Sequence, residues 1–194
     1  MTRTEKLAKI IRVITVPPLL VMALLTLLWL TRPTIFGGQG NFWLALLWLG
    51  IFPVLAYPLQ RILPHWRQGG RAAQRKLAFI CSLVGYLGAL LNGWLAQVPR
   101  PLLLIYWTYA LSAVLLTMVN RVTKIRASGH ACSVISPIVF LSYFSLLKPA
   151  AAFLVAGGLS FWASLKLKRH RPRDLIAGSL VMLTAFTLAL LITG

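Results

Sequence analysis

The feature that most constrains the fold of this chain is a series of apolar runs whose interiors contain no Lys, Arg, Asp or Glu. A helix needs roughly 20 residues to cross about 30 Å of hydrocarbon, and each run has about that length. The chain is 59% hydrophobic and 11% charged, as in integral membrane proteins. We therefore predict an all-α, polytopic membrane bundle of about seven spans, at 13–31, 42–60, 77–97, 101–120, 131–147, 150–166 and 175–192.

The second run is the least secure as a continuous helix, because it contains Pro53 and Pro58. If the chain re-enters the membrane there, six spans remain and the orientation of everything after them reverses. No linker, repeat or shift in composition divides the chain, so we predict a single integral membrane domain over residues 1–194.

The basic residues are distributed unevenly between the connections. Of the 20 Lys and Arg, 17 fall before the first run or in alternate connections on the same side of the predicted bundle. Under the positive-inside rule this side is cytoplasmic, together with the N-terminus. We expect the plasma membrane of a prokaryote, with anionic lipids at the basic face, and we do not expect nucleic acid as a partner.

The chain has only two acidic residues, Glu5 and Asp174. Paired-carboxylate catalysis, di-metal carboxylate sites and Mg²⁺ sites are difficult to build from so few acids, so we expect no metal ion and no cofactor. Cys81 and Cys132 lack the spacing of a zinc site and lie in apolar runs, where they are expected to pack as small apolar side chains.

Two basic connections on the same side carry histidines and are separated by two predicted spans that return the chain to that side. His170 and Asp174 are four residues apart, so on a continuous helix they would share a face and the carboxylate could orient the imidazole. The alternative is that Asp174 caps the last helix just after Pro172, while His170 belongs to a solvated basic loop.

The connection before His130 has the features of a phosphate-binding segment. Ser128 and Gly129 at a helix N-terminus could present amide groups to an anion, and Lys124 and Arg126 could hold its oxygens. The alternatives are an ordinary Ser-Gly turn and a pair of lysine and arginine side chains that contact lipid head groups.

Together these residues supply the parts that metal-free phosphoryl transfer requires. His170 would attack phosphorus, Asp174 would orient His170, and His130 would protonate the leaving oxygen. The phosphate would be held by Lys124, Arg126, Ser128 and Gly129. We therefore predict a metal-free phosphoryl-transfer site at this membrane face.

Two motifs, in this order, resemble those of the type 2 phosphatidic acid phosphatase superfamily, membrane lipid phosphatases related in fold to vanadium haloperoxidases. Ala127-Ser128-Gly129-His130 is similar to that family's P-S-G-H in three of four positions. The segment Ala163-Ser164, five residues, His170, three residues and Asp174 is similar to its S-R-x5-H-x3-D and keeps the His and the Asp of that motif. The resemblance implies a phosphatase-like core over about 101–194, a phosphohistidine on His170 and His130 as general acid. It also implies phosphatidate-like lipids or prenyl mono- and diphosphates as substrates.

The chain departs from that family at two places. The family's first motif, K-x6-R-P, is missing, and Ser164 stands where the family has arginine. A catalytically silent protein that binds anionic lipid or a partner protein through its basic face is therefore the alternative prediction. A transporter or scramblase is disfavoured, because no span has a charged residue in its interior. The sequence does not predict the oligomeric state.

Overall fold

A computed structural model describes residues 2–194, without the side chain of Arg71. Within that part the chain is helical, with no strand. Ten α-helices follow one another: α1 (Arg3–Ile14), α2 (Pro17–Thr31), α3 (Gln39–Leu46), α4 (Phe52–Ile62), α5 (Pro64–Gln68), α6 (Gly70–Leu95), α7 (Arg100–Val122), α8 (Gly129–Tyr143), α9 (Leu147–Lys166) and α10 (Pro172–Thr193). A 3₁₀ turn at Pro33–Ile35 precedes α3, and a π-helical turn at Leu47–Ile51 joins α3 to α4.

Four helical segments of the described chain are long and apolar enough to cross a membrane: Gln39–Ile62, Ala72–Leu95, Arg100–Val122 and Pro172–Thr193. Helices α1 and α2, bent by 54° at their junction, make a fifth if the pair counts as one span. The predicted all-helical membrane architecture is thus confirmed, whereas the count of seven is not. One reason is that α8 has 15 residues, about 22 Å of helix against about 30 Å of hydrocarbon.

The second predicted span stays helical through its prolines. From Gln39 to Ile62 it is one candidate span of 24 residues. Pro53 is the second residue after the π-helical turn, and a π-helical turn interrupts the regular hydrogen-bond ladder next to the residue that supplies no N–H. Pro58 lies inside α4.

The buried core lies between α2, α3, α7, α8 and α10 and is rich in aromatic side chains. Tyr106 and Tyr109 of α7 are among its largest buried side chains, and Phe140 of α8 packs near Tyr109. Helix α10 packs against α7 and α8, α1 packs against α9, and α6 packs against α4. Large apolar side chains point outward from several helices, as lipid-facing residues do; examples are Leu87, Leu91, Leu180 and Leu191.

The two histidine-bearing connections lie at one end of the bundle and touch each other. One joins α7 to α8, and the other joins α9 to α10. The Ser128 N–H donates to the Asp174 carbonyl oxygen at 2.9 Å. This end of the molecule is called the basic end below. It contains residues 121–130 and 166–174.

Gly178 allows α10 to approach the α7–α8 connection closely. A Cβ added at Gly178 would overlap the Ser128 carbonyl oxygen and lie 3.1 Å from the Ala131 Cβ. Gly158 of α9 is a matched control, since a Cβ there has nothing within 4 Å.

We expect Gly178→Ala to lower the free energy of unfolding by about 1–3 kcal/mol, because backbone must move to admit the methyl group. Gly158→Ala should leave it unchanged or raise it by up to about 1 kcal/mol, since alanine is the better helix former. Thermal unfolding of the two variants in detergent measures the difference. Equal melting temperatures would show that the α8–α10 contact is less tight than described.

Candidate functional site

The basic end holds an open cavity of about 540 Å³. Four residues predicted from the sequence line it together: Lys124, Arg126, His170 and Asp174. The remaining lining comes from the α9–α10 connection and its flanks, namely Leu165, Lys168, Arg169, Arg171, Pro172 and Arg173. Six of the ten lining residues are Lys or Arg and one is acidic, so the cavity suits an anion.

Asp174 does not share a helical face with His170. Because α10 begins at Pro172, His170 lies in the connection and not on the helix. The Asp174 carboxylate is 7% exposed and accepts a hydrogen bond from the Arg171 N–H at 2.9 Å. The described contacts include no hydrogen bond between Asp174 and His170, so that prediction is wrong. Asp174 instead caps α10, which is the alternative that the sequence offered.

Asp174 still acts on His170 through its charge. Its negative charge raises the pKa of the His170 imidazole, opposing the effect of burial. Its side chain also lies 3.8 Å from the Arg173 guanidinium. By holding the Arg171 amide, the carboxylate fixes the backbone immediately after His170.

Ser128 is structural, because both of its polar groups are already engaged. Its N–H donates to Asp174, and its hydroxyl accepts from the Ala131 N–H at 3.2 Å as the N-cap of α8. The prediction that the Ser128 amide holds phosphate is therefore wrong. Gly129 is the first residue of α8, where amides lack intrahelical acceptors, but it does not line the cavity.

His130 is not among the residues that line the cavity. It lies on the first turn of α8, and its Nε2 is 2.8 Å from the Ser160 hydroxyl oxygen. Ser160 in turn lies 3.1 Å from the Thr15 hydroxyl, which donates to the Ile11 carbonyl. Since Thr15 has one hydroxyl proton, Ser160 donates to Thr15 and must accept from His130. The neutral His130 ring therefore carries its proton on Nε2.

The two histidines interact electrostatically. Burial, then Arg12, then His170 lower the pKa of His130, so its imidazole is neutral at pH 7 when no anion is present. Burial, followed by Arg12, also lowers the pKa of His170, with smaller contributions from Arg126 and Arg75. A neutral imidazole has a lone pair for nucleophilic attack, so the surroundings of His170 favour its reactive form.

This electrostatic setting predicts that the His170 ring in the ligand-free protein titrates below its ordinary pKa of 6.5. The neutral form then persists under mildly acidic conditions and is lost as the pH falls through the lowered pKa. Histidine NMR titration of the purified protein tests this, with His170→Ala to assign the signal. A midpoint at or above 6.5 would contradict the described burial.

Sequence reasoning missed Arg12, which reaches the same region from α1. Its guanidinium donates to the Ser164 hydroxyl at 2.6 Å, across 152 residues of sequence. Ser160, the partner of His130, was also missed. Its spacing of four from Ser164 places both on one face of α9, which is the signal the sequence offered.

The fold and site define an α-helical protein with apolar helices long enough to span a membrane and an anion-suited cavity at its basic end. Comparison with protein-family models, curated proteins and solved structures found no match. The functional proposal therefore depends on the residues of the site and their geometry.

Proposed function

We propose that the protein hydrolyses a membrane lipid phosphate without a metal ion, through a phosphohistidine on His170. The observation that carries this proposal is the cavity that His170 lines together with Lys124 and Arg126, with His170 close enough to His130 to lower the pKa of His130. A neutral imidazole beside several cations is the combination that nucleophilic attack on a phosphate ester needs.

The reaction has two steps. In the first, a nitrogen of His170 attacks phosphorus, the ester P–O bond breaks, and His130 gives a proton to the leaving oxygen. In the second, water attacks the phosphohistidine, the P–N bond breaks, and inorganic phosphate leaves. The water gives up a proton to His130 as it attacks, which restores the acid.

His130 must become protonated for this role although burial lowers its pKa in the ligand-free protein. A bound phosphate dianion would supply negative charge between the two histidines and raise the pKa of His130, because a nearby opposite charge favours the charged form. Acid catalysis would thus be available only when substrate is present.

Lys124 and Arg126 would hold the phosphoryl oxygens at the cavity mouth, since both line it. Asp174 would serve as a positioning residue that fixes the His170 connection through the Arg171 amide. Gly129 does not line the cavity, but its helix-terminal amide would still turn toward the phosphate. The Ser128 amide would not, since it is already bound to the Asp174 carbonyl oxygen.

The substrate class follows from the membrane setting and from the resemblance to type 2 phosphatidic acid phosphatases. A lipid head group would enter the cavity at the basic end while its tail follows the exposed apolar helix faces. Phosphatidate-like lipids and prenyl mono- or diphosphates fit this arrangement. We place the basic end in the cytoplasm, because the side of the predicted bundle to which it belongs carries 17 of the 20 Lys and Arg.

The test is phosphate release by the purified full-length protein from phosphatidate, phosphatidylglycerol phosphate, and prenyl mono- and diphosphates, with and without EDTA. We expect release from at least one class and no loss of rate with EDTA. Release from none of them would overturn the proposal, and activity abolished by EDTA and restored by a divalent cation would overturn its metal-free mechanism.

The second candidate is a catalytically silent protein that binds anionic lipid through the same cavity. The Asp174 cap favours it, since the carboxylate is engaged without any bond to His170. Binding to phosphatidate vesicles with no phosphate release from any substrate would support this candidate.

A further inference from the structure

The Arg12 guanidinium is a positive charge without a carboxylate partner in the described chain. The two acids of the chain are engaged elsewhere, Glu5 with the Thr2 amide and Asp174 with Arg171 and Arg173. The described hydrogen bond of Arg12 goes to the neutral hydroxyl of Ser164.

The charges around Arg12 increase its need for an anion. Arg12 interacts unfavourably with Arg169 of the cavity lining and favourably with Tyr57, and its charge acts on both His130 and His170. A half-buried guanidinium among like charges is costly unless a negative group joins it. Ser164 holds one N–H of the five that a guanidinium can donate, which leaves a second edge for a bidentate partner.

Arg12 does not itself line the cavity, but the residue that holds its guanidinium adjoins the cavity wall. Ser164 precedes Leu165, which lines the cavity, and the Arg169 amide donates to the Ser164 carbonyl at 3.0 Å. Ser164, which holds Arg12, and Leu165, which lines the cavity, therefore lie in the same turn of α9.

We propose that Arg12 is a phosphate ligand of this cavity, so that helix α1 supplies a part of the binding site that the other helices lack. The ligand class is a phosphate monoester or inorganic phosphate, whose oxygens a guanidinium binds bidentately. Its identity as the head of a lipid rests on the proposed function, whereas the binding of phosphate itself does not.

The fully structural alternative is that Arg12 serves only to tie α1 to α9 through Ser164. The two roles differ in what Ser164→Ala does. If the tie were the whole function, Arg12→Ala and Ser164→Ala would affect phosphate binding equally. If Arg12 binds phosphate, Ser164→Ala keeps the charged group and should have the smaller effect.

The experiment measures binding of inorganic phosphate to the full-length protein in detergent by ³¹P NMR titration. We expect Arg12→Ala to weaken binding by about tenfold to a hundredfold, the range for a lost hydrogen bond to a charged group. Arg12→Lys keeps the positive charge but loses the paired N–H groups that bind phosphate bidentately. Its affinity for phosphate should fall between those of Arg12→Ala and the unmodified protein. Lys6→Ala, which removes one exposed charge from the same helix, should change binding less than about twofold.

Binding within twofold of the unmodified protein in Arg12→Ala, at an unchanged melting temperature, would overturn the inference. Equal weakening of phosphate binding in Arg12→Ala and Ser164→Ala would also overturn the inference. This comparison separates the two roles of Arg12 even if both variants are less stable than the unmodified protein.

Hydrolysis assays on the same variants separate this inference from the proposed function. Phosphate binding that depends on Arg12, without hydrolysis of any lipid, would refute the function and keep the binding site. Hydrolysis whose kcat and KM are unaffected by Arg12→Ala would keep the function and refute the role of Arg12.

Discussion

Replacing His170 with alanine should abolish phosphate release, lowering the rate by more than about 10⁴-fold, because the covalent nucleophile is lost. The protein itself should remain folded, since His170 lies in a connection at the rim of an open cavity and not in the core. Binding of inorganic phosphate should persist, because the cations of the cavity are unchanged.

The matched control is His65→Ala. His65 is an exposed histidine on α5, with its ring beside Trp66. This variant removes the same side chain from outside the cavity lining and should retain full activity.

Trapping the intermediate makes the test of His170 independent of rates. Quenching a reaction with ³²P-labelled substrate should leave label on the unmodified protein and none on His170→Ala. That label should be lost in acid and kept in base, as the P–N bond of a phosphoramidate requires. Turnover by His170→Ala at the rate of the unmodified protein, or an acid-stable label, would refute the nucleophile assignment.

Much of the fold was readable from the sequence because the membrane constrains it strongly. Apolar run length and charge distribution predicted a helical bundle in which the connections of His130 and His170 meet at one end. The number of spans was less accessible. Hydropathy identifies the apolar run that contains α8. It does not show that the helix itself has only 15 residues, because the remaining residues of the run lie in the adjoining turn and cap.

The errors at the site have local and long-range causes. The expected His170–Asp174 pair assumed a helix through both residues. However, α10 begins only at Pro172, and proline is common at the first position of a helix. The Arg12–Ser164 contact joins the first helix to the ninth, and no local pattern records a pairing over such a distance. Arg12 is nevertheless the last charged residue before the first apolar run, which already placed it at the basic boundary.

Replacing His130 with alanine should lower hydrolysis of a lipid phosphate by about 10²–10⁴-fold, the usual contribution of a general acid. The loss should depend on the leaving group. An alkoxide departs slowly without a proton, whereas a nitrophenolate departs readily as the anion. His130→Ala should therefore release the first equivalent of 4-nitrophenolate at nearly the rate of the unmodified protein, measured as the pre-steady-state burst. The second step, in which His130 takes the proton from water, should be slowed for both substrates alike.

Ser160→Ala refines this test, because it removes the partner of His130 Nε2 and leaves the imidazole in place. With Nε2–H bound to Ser160, the proton given to the leaving oxygen is the one on Nδ1, so Ser160 acts as a positioning residue. In the first step, Ser160→Ala should lose less activity than His130→Ala on the lipid and, like it, almost none on the nitrophenyl ester. An equal fold-loss of the first step on both substrates in His130→Ala would mean that His130 binds phosphate or supports the fold instead of donating a proton.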